Sequence, residues 1–218
     1  MTVKPGKIVC VGRNYADHAA ELGSTVPTEP LIFLKPPSAV IADGDPVHVP
    51  PDVGRVDYEG EIGLVVGRRC RRVSAESAWD CVGGVVAVND VTARALQRSD
   101  SQWTRAKGLD TFCPLGNVVG TGSVDHENIA VTTRVNGEVR QHGTTADMVF
   151  SIPRLVSYIS HVMTLEAGDL IATGTPEGVG PLSPGDVVEV ALSCGTAVRN
   201  PVVGGASLAP ETVHEGPD

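Results

Sequence analysis

The chain has 218 residues with a formal net charge of -9, 41% hydrophobic residues and only 4% aromatics. That length suits one sizeable domain, and these fractions are those of a soluble globular protein whose core rests on Val, Leu, Ile and Ala. The acidic balance argues against nucleic acid or an anionic membrane as a partner. No run approaches a membrane span, and five scattered cysteines without a C-x-x-C pair read as reduced thiols in a cytoplasmic protein.

In chain order, Lys7 to Val11 predicts a short strand ended by Gly12. Asp17 to Leu22 predicts one or two helical turns, with Gly23 as C-cap. A loop with two prolines follows from Ser24 to Pro30, and the stretch 13–30 is expected to act as a mobile lid. Leu31 to Leu34 is a strand that must leave regular structure at Lys35-Pro36-Pro37, and Val47-His48-Val49 is a brief strand between turns. Two longer apolar runs come next, Ile62 to Val66 and Gly84 to Val88. Between them a helix is expected over Ala75 to Val82, with Ser74 as N-cap and Glu76 near the positive end of its dipole.

Asn136-Gly137 between two strand-like segments predicts a hairpin with a type I′ turn. Ile152, Leu155, Val156, Ile159, Val162 and Met163 recur at helical spacing behind the cap Ser151, with Pro153 tolerated in the first turn. Leu170 to Ala172 and Val187 to Val190 are further strands, and 207–218 reads as a loose tail. Many short strands, few helices and frequent Gly/Pro turns predict a β-rich α+β fold in one domain spanning 1–218. No G-x-G-x-x-G or Walker loop points to a nucleotide.

The chemistry concentrates in a few segments. Glu59 and Glu61 are two apart at the head of an apolar run, where strand geometry aims both carboxylates at one point, and Asp90 closes the second run. Three acids in a dry pocket call for a hard divalent cation, while in water they are only a polar strand face. His18 and Glu21, three apart, share one face of a helical turn. A carboxylate on one ring nitrogen makes the imidazole a general base; a solvated surface pair is the alternative. Lys107 is the only lysine after residue 35, and is either surface decoration or the cation for a carboxylate or enolate. The Gly-rich loop Thr173 to Gly180 could present N–H groups to an anion.

Together these segments resemble the fumarylacetoacetate hydrolase family, specifically its small members of the acylpyruvase and oxaloacetate-decarboxylase type. The resemblance is carried in order by Cys10-Val11-Gly12-Arg13-Asn14-Tyr15 with Asp17-His18, Phe33-Leu34-Lys35-Pro36-Pro37, Asp57-Tyr58-Glu59-Gly60-Glu61 and Asn89-Asp90-Val91-Thr92-Ala93-Arg94. It continues through Trp103 to Lys107, Asp110 to Gly116, Val135 to Glu138 and Thr173 to Pro176.

The resemblance implies a β-sandwich roll of mixed sheets, a homodimer, and Mg²⁺ or Mn²⁺ held by Glu59, Glu61 and Asp90. It also implies a lid bearing His18 and Glu21, and substrate contacts from Lys107, Gln97 and Thr175, with Arg13 and Tyr15 near the lid's hinge. Ala95 stands where similar sequences usually have Asp, which puts the placement of Arg94 and Gln97 in question.

The leading expectation is metal-dependent hydrolysis of a C–C bond in an acylpyruvate, giving pyruvate and a carboxylic acid. The alternatives are an oxaloacetate decarboxylase, an isomerase or decarboxylase of 2-oxo dienoic diacids and, outside enzymes, a metal-dependent 2-oxo acid binding protein.

Overall fold

Apolar alternation and β-branching put the segments Ile8–Gly12, Gly60–Val66 and Val82–Asn89 into one six-stranded mixed sheet. The computed structural model describes residues 4–208 except 22 and 24. The strand order is Val119–Gly120, Val82–Asn89, Gly60–Val66, Leu170–Ala172, Ile8–Gly12 and Leu31–Lys35. Ile8–Gly12 runs parallel to Leu170–Ala172 and antiparallel to Leu31–Lys35. A second, five-stranded sheet orders Glu138–Thr144, Ala130–Val135, Val187–Leu192, Ala197–Gly204 and Val47–Val49. Its hairpin turns at Asn136 and Gly137, whose φ angles of 54° and 85° are those of the expected type I′ turn. Among the described residues no helix is long and apolar enough to cross a membrane.

Ile62, Leu64, Val131 and Val190 from the two sheets share one buried cluster. The helix Ile152–Val162 buries Ile152, Leu155, Val156 and Ile159 in the same cluster. It starts where expected, although Ser151 makes no side-chain cap bond. The helix expected over 75–82 is shorter. Only Ala75–Ala78 is α-helical, Trp79–Cys81 tightens into a 3₁₀ turn, and Val82 already pairs with Val66 in the sheet. Ser74 makes no bond to the helix backbone; its hydroxyl meets that of Ser77 instead. Gly23 takes the left-handed φ of 64° expected of a C-cap, while Leu22, Ser24 and the tail beyond 208 lie outside the described residues.

The two sheets meet at Gly60. A Cβ there would lie 1.9 Å from the hydroxyl oxygen of Thr133, which is fully buried on the opposing strand. Gly60→Ala is therefore expected to destabilise the protein by about 1–3 kcal/mol, the usual cost of overpacking. Denaturant unfolding against the parent measures it, and an unchanged midpoint would mean that the sheets are not in contact there.

Candidate active site

Glu59 is not part of a strand. It lies between Val56–Tyr58, which pairs in a small sheet with Thr92–Ala93 and Gly180–Pro181, and Gly60–Val66 of the large sheet. The chain changes sheets at this residue, and the Glu59 N–H donates to Asn89 Oδ1 at 3.0 Å. Asp90 N–H donates to Glu59 O at 2.8 Å, so the ends of the two long strands are tied together. One ligand atom from each of Glu59, Glu61 and Asp90 falls within 4.8 Å of the others, and all three residues are buried. The expected convergence is present, although a sheet crossover produces it rather than one continuous strand.

Three cations contact these acids, and a fourth, Arg55, pairs with the neighbouring Asp57. Lys107 Nζ donates to Glu59 Oε2 at 2.5 Å and to Asp90 Oδ2 at 2.6 Å. Lys35 Nζ donates to the other oxygen of Asp90 at 2.6 Å and to Val91 O at 3.2 Å. Arg94 Nη2 makes an ion-pair contact of 2.6 Å with Glu59 Oε1, and its Nε donates to Asp57 Oδ2 at 2.8 Å. Arg55 Nε takes the other oxygen of Asp57 at 2.6 Å. Ala95 is exposed, and Arg94 is anchored without help from that position; its Nη1 donates to Gln97 Oε1 at 2.9 Å.

Burial alone would raise the Glu59 carboxyl, but Lys107 and Arg94 outweigh it and hold the group well below its usual range. Lys107 moves the opposite way: burial favours the neutral amine, yet Asp90 and Glu59 keep it charged beyond the ordinary lysine range. Glu61 differs. Its only hydrogen bond among the described residues comes from Gly174 N–H at 2.8 Å. Burial first, then Asp90 and Glu59, push its carboxyl well above the usual range.

A buried carboxylate beside two others, short of positive charge and offering only oxygen, fits a hard divalent cation. Glu59, Glu61 and Asp90 are the residues that would hold it. Without the cation, the folded protein keeps a proton on Glu61 above 4.5, where the unfolded chain has released it. The group costs nothing below that value and increasingly destabilises the fold as pH climbs toward its raised native pKa. Glu61→Gln is thus expected to flatten this decline and to raise the metal-free melting midpoint at about pH 8 by about 2–4 °C per kcal/mol of relieved cost. It should also abolish stabilisation by Mg²⁺. Thermal melts of both proteins with and without chelator read these effects, and a wild-type midpoint for the metal-free variant would refute the strain on Glu61.

His18 reaches the same cavity from the short helix Ala16–Glu21. His18 is buried, and its Nδ1 lies 3.2 Å from Glu21 Oε2. Gly178 N–H in turn reaches both oxygens of Glu21 at 3.2 Å, docking the helix on the 173–178 loop. Gly174, which supplies the amide to Glu61, has φ 101°, and a Cβ there would lie 2.8 Å from that of Asn14. This position requires glycine on both counts.

The cavity has a volume of about 260 Å³ and is lined by His18, the three acids and Lys107, with Arg13, Gln97, Thr175 and the rings of Phe33 and Trp103 also on its wall. The two rings meet edge to face at 5.2 Å. Thr175 donates its hydroxyl to Gly60 O at 2.9 Å and accepts from Gln141 Nε2 at 2.8 Å, so it fixes the loop as well as lining the wall. Tyr15, expected near the hinge and the substrate, is buried and is not among the residues that line the cavity.

Several supporting residues were not assigned a role from the sequence. Lys35 lies in a matched segment, yet nothing in Phe33-Leu34-Lys35-Pro36-Pro37 says that the side chain turns inward to Asp90. Gln141 carried no distinguishing pattern, whereas the Gly178 amide lies in the Gly-rich loop expected to present N–H groups to an anion, which here is the Glu21 carboxylate.

A model of the family described as fumarylacetoacetate (FAA) hydrolase, C-terminal, matches residues 7–203. The chain belongs to the fumarylacetoacetate hydrolase family. An oxaloacetate tautomerase (mitochondrial) of Arabidopsis thaliana is 47% identical over 192 residues, covering 86% of this chain and 86% of the relative. An oxaloacetate decarboxylase (mitochondrial) of Dictyostelium discoideum is 42% identical over 193 residues, covering 86% and 88%. The crystal structure of a 5-carboxymethyl-2-hydroxymuconate delta-isomerase from Mycobacterium smegmatis matches with a TM-score of 0.87 at 45% identity, covering 94% of this chain and 81% of that one. The mixed sheets and short helices of this family member are therefore the family's fold.

Proposed function

We propose that this family member is a divalent-metal-dependent enzyme acting on oxaloacetate, interconverting its keto and enol forms. The observation that carries this reading is a single small cavity shared by the acid triad and an imidazole whose Nδ1 is tied to Glu21. The names of relatives at 42–47% identity support oxaloacetate over the acylpyruvates that led the sequence reading.

A cation held by Glu59, Glu61 and Asp90, Mg²⁺ or Mn²⁺, supplies Lewis-acid polarisation of the substrate's 2-oxo group. The residues do the rest. With the Nδ1 proton shared toward Glu21, His18 offers Nε2 as the free acceptor. Nε2 takes a proton from C3, and the electron pair left behind forms the C2–C3 double bond. Negative charge moves to the C2 oxygen, where the Lys107 ammonium can balance it. Return of the proton from Nε2 to that oxygen gives the enol, and the reverse sequence gives the ketone. Phe33 and Trp103 give the cavity that holds His18 an apolar part of its wall.

Decarboxylation is the second reading, favoured by the Dictyostelium relative. There the C3–C4 bond breaks, CO₂ departs with no base required, and protonated His18 delivers the proton to C3 to give pyruvate. Acylpyruvate hydrolysis, which would use His18 to activate water, ranks behind both. The proposal includes a lid over 13–30, supported by Glu21 being the helix's bond to the Gly178 loop and by the left-handed φ of 58° at Arg13. It also includes the homodimer that the resemblance implies.

The test is a panel with Mg²⁺ and Mn²⁺ over oxaloacetate and acetylpyruvate, following enol absorbance and pyruvate release separately. Enol–ketone exchange above the spontaneous rate is expected. Cleavage of acetylpyruvate with oxaloacetate left untouched in both assays would overturn the reading.

A further inference from the structure

The helix Arg94–Ser99 places residues 94, 97 and 98 on one face, since side chains three and four apart are neighbours. Arg94, Gln97 and Arg98 all line the cavity. Arg94 is fully engaged with Asp57, Glu59 and Gln97. Arg98 is not: it makes no ion pair or hydrogen bond among the described residues, although it lines a cavity that holds three acids. Arg13, from a different element, is in the same state, with no acidic partner among the described residues. Its backbone is held at φ 58°, a conformation that costs a non-glycine residue energy and persists where the surroundings require it.

Glu59 and Asp90 already have Lys35, Lys107 and Arg94, and Glu61 is the acid left for a metal cation, so none of the three needs Arg98 or Arg13 as a partner. Two uncommitted arginines on one cavity wall, Arg13 half-buried and Arg98 at the exposed rim, suit one more carboxylate, which the planar fork of arginine binds through paired N–H groups.

We infer that Arg98, assisted by Arg13, seats the second carboxylate of the substrate, making the site selective for 2-oxo diacids over 2-oxo acids with a neutral end. The inference rests on the oxaloacetate reading and gives that reading its source of specificity. A substrate with an ester or methyl at that end leaves the two guanidiniums to water and loses the charge-assisted bonds. Gln97 lines the same cavity with its amide nitrogen unpartnered among the described residues, and can donate to the same group.

The experiment is competition for the Mg²⁺-loaded protein by oxaloacetate and by its 4-methyl ester, each displacing oxalate in calorimetry, with KM values measured alongside. The parent protein is expected to prefer the diacid by tenfold or more. In Arg98→Gln that preference should shrink to about threefold or less. Arg13→Asn, chosen because Asn tolerates the left-handed backbone, should shrink it similarly. Melting midpoints near the parent's establish that each variant is folded. A parent that binds acid and ester equally, or an Arg98→Gln protein that keeps the full preference, overturns the inference. Oxaloacetate bound with preference but never converted would instead defeat the proposed reaction and leave the diacid seat standing.

Discussion

Replacing His18 by alanine is expected to slow enol–ketone exchange of oxaloacetate by about 10²–10⁴-fold, the usual worth of a positioned general base. The reason lies in what else the cavity offers. Its other titratable groups are carboxylates bound to ammonium or guanidinium partners, or Glu61 facing two acids, and the side chains of Lys107 and Arg94, which the acids beside them hold in the charged form, with the guanidiniums of Arg13 and Arg98. None of these can accept a proton from carbon and then release it. The loss should fall on kcat, because the imidazole is not among the groups that would hold the substrate's charge. Decarboxylation should suffer less, since breaking the C3–C4 bond needs an electron sink rather than a base. Glu21→Gln should show the same ordering with smaller losses, as an amide can still accept from Nδ1–H but stabilises the imidazolium less. Stopped-flow enol absorbance and coupled pyruvate release distinguish the two reactions in each variant. Unimpaired exchange in His18→Ala would remove the imidazole from the chemistry.

The convergence of the three acids and the His18–Glu21 contact were legible in the sequence because each belongs to a local pattern. Glu59 and Glu61 are two apart, Asp90 ends an apolar run, and His18 and Glu21 are three apart on a helical turn. The reasoning behind the first pair still needed correction. Two carboxylates on one strand face is the simplest way to make them converge, but Glu59 sits where the chain leaves one sheet for another, and Asn89 and Asp90 close that junction from the second strand. Local pattern placed the residues correctly while tertiary structure chose the geometry.

The partners were less legible for the same reason. Lys35 reaches Asp90 across 55 residues and Gly178 reaches Glu21 across 157, distances over which no spacing rule operates. Ala95 shows the opposite error. The departure from the family pattern suggested a disturbed Arg94, yet that side chain is fixed by Asp57 and Glu59, which the local sequence around it does not contain. The shortened helix after Ser74 follows similar logic: Val82 is a tolerable helix residue, and its ladder partner Val66 decides otherwise.

Lys107→Met is expected to separate what the site needs for stability from what it needs for turnover. In the metal-free protein the Lys107 ammonium is bonded to one oxygen of Glu59 and one of Asp90, and its side chain is fully buried. Removing it leaves Lys35 and Arg94 to balance Glu59, Glu61 and Asp90. Breaking a buried pair by deleting one partner costs about 3–5 kcal/mol. For a chain of this size that lowers the melting midpoint by on the order of 10 °C. Methionine keeps most of the volume, so little of the loss comes from a cavity.

Mg²⁺ should then raise the midpoint of the variant more than that of the parent, because the ammonium no longer occupies the oxygens that a cation would use, and ligand-linked stabilisation grows with affinity. Turnover should nevertheless fall by about 10²–10³-fold, since the charge developing on the C2 oxygen loses its donor. Melts over a Mg²⁺ series, together with enol absorbance at saturating metal, read the two effects independently. A metal-free variant as stable as the parent would show that the lysine does not neutralise the acids. A Mg²⁺ response no larger than the parent's would show that ammonium and metal do not share those oxygens. Either result would remove the electrostatic link between the lysine and the triad, whatever the fate of the reaction.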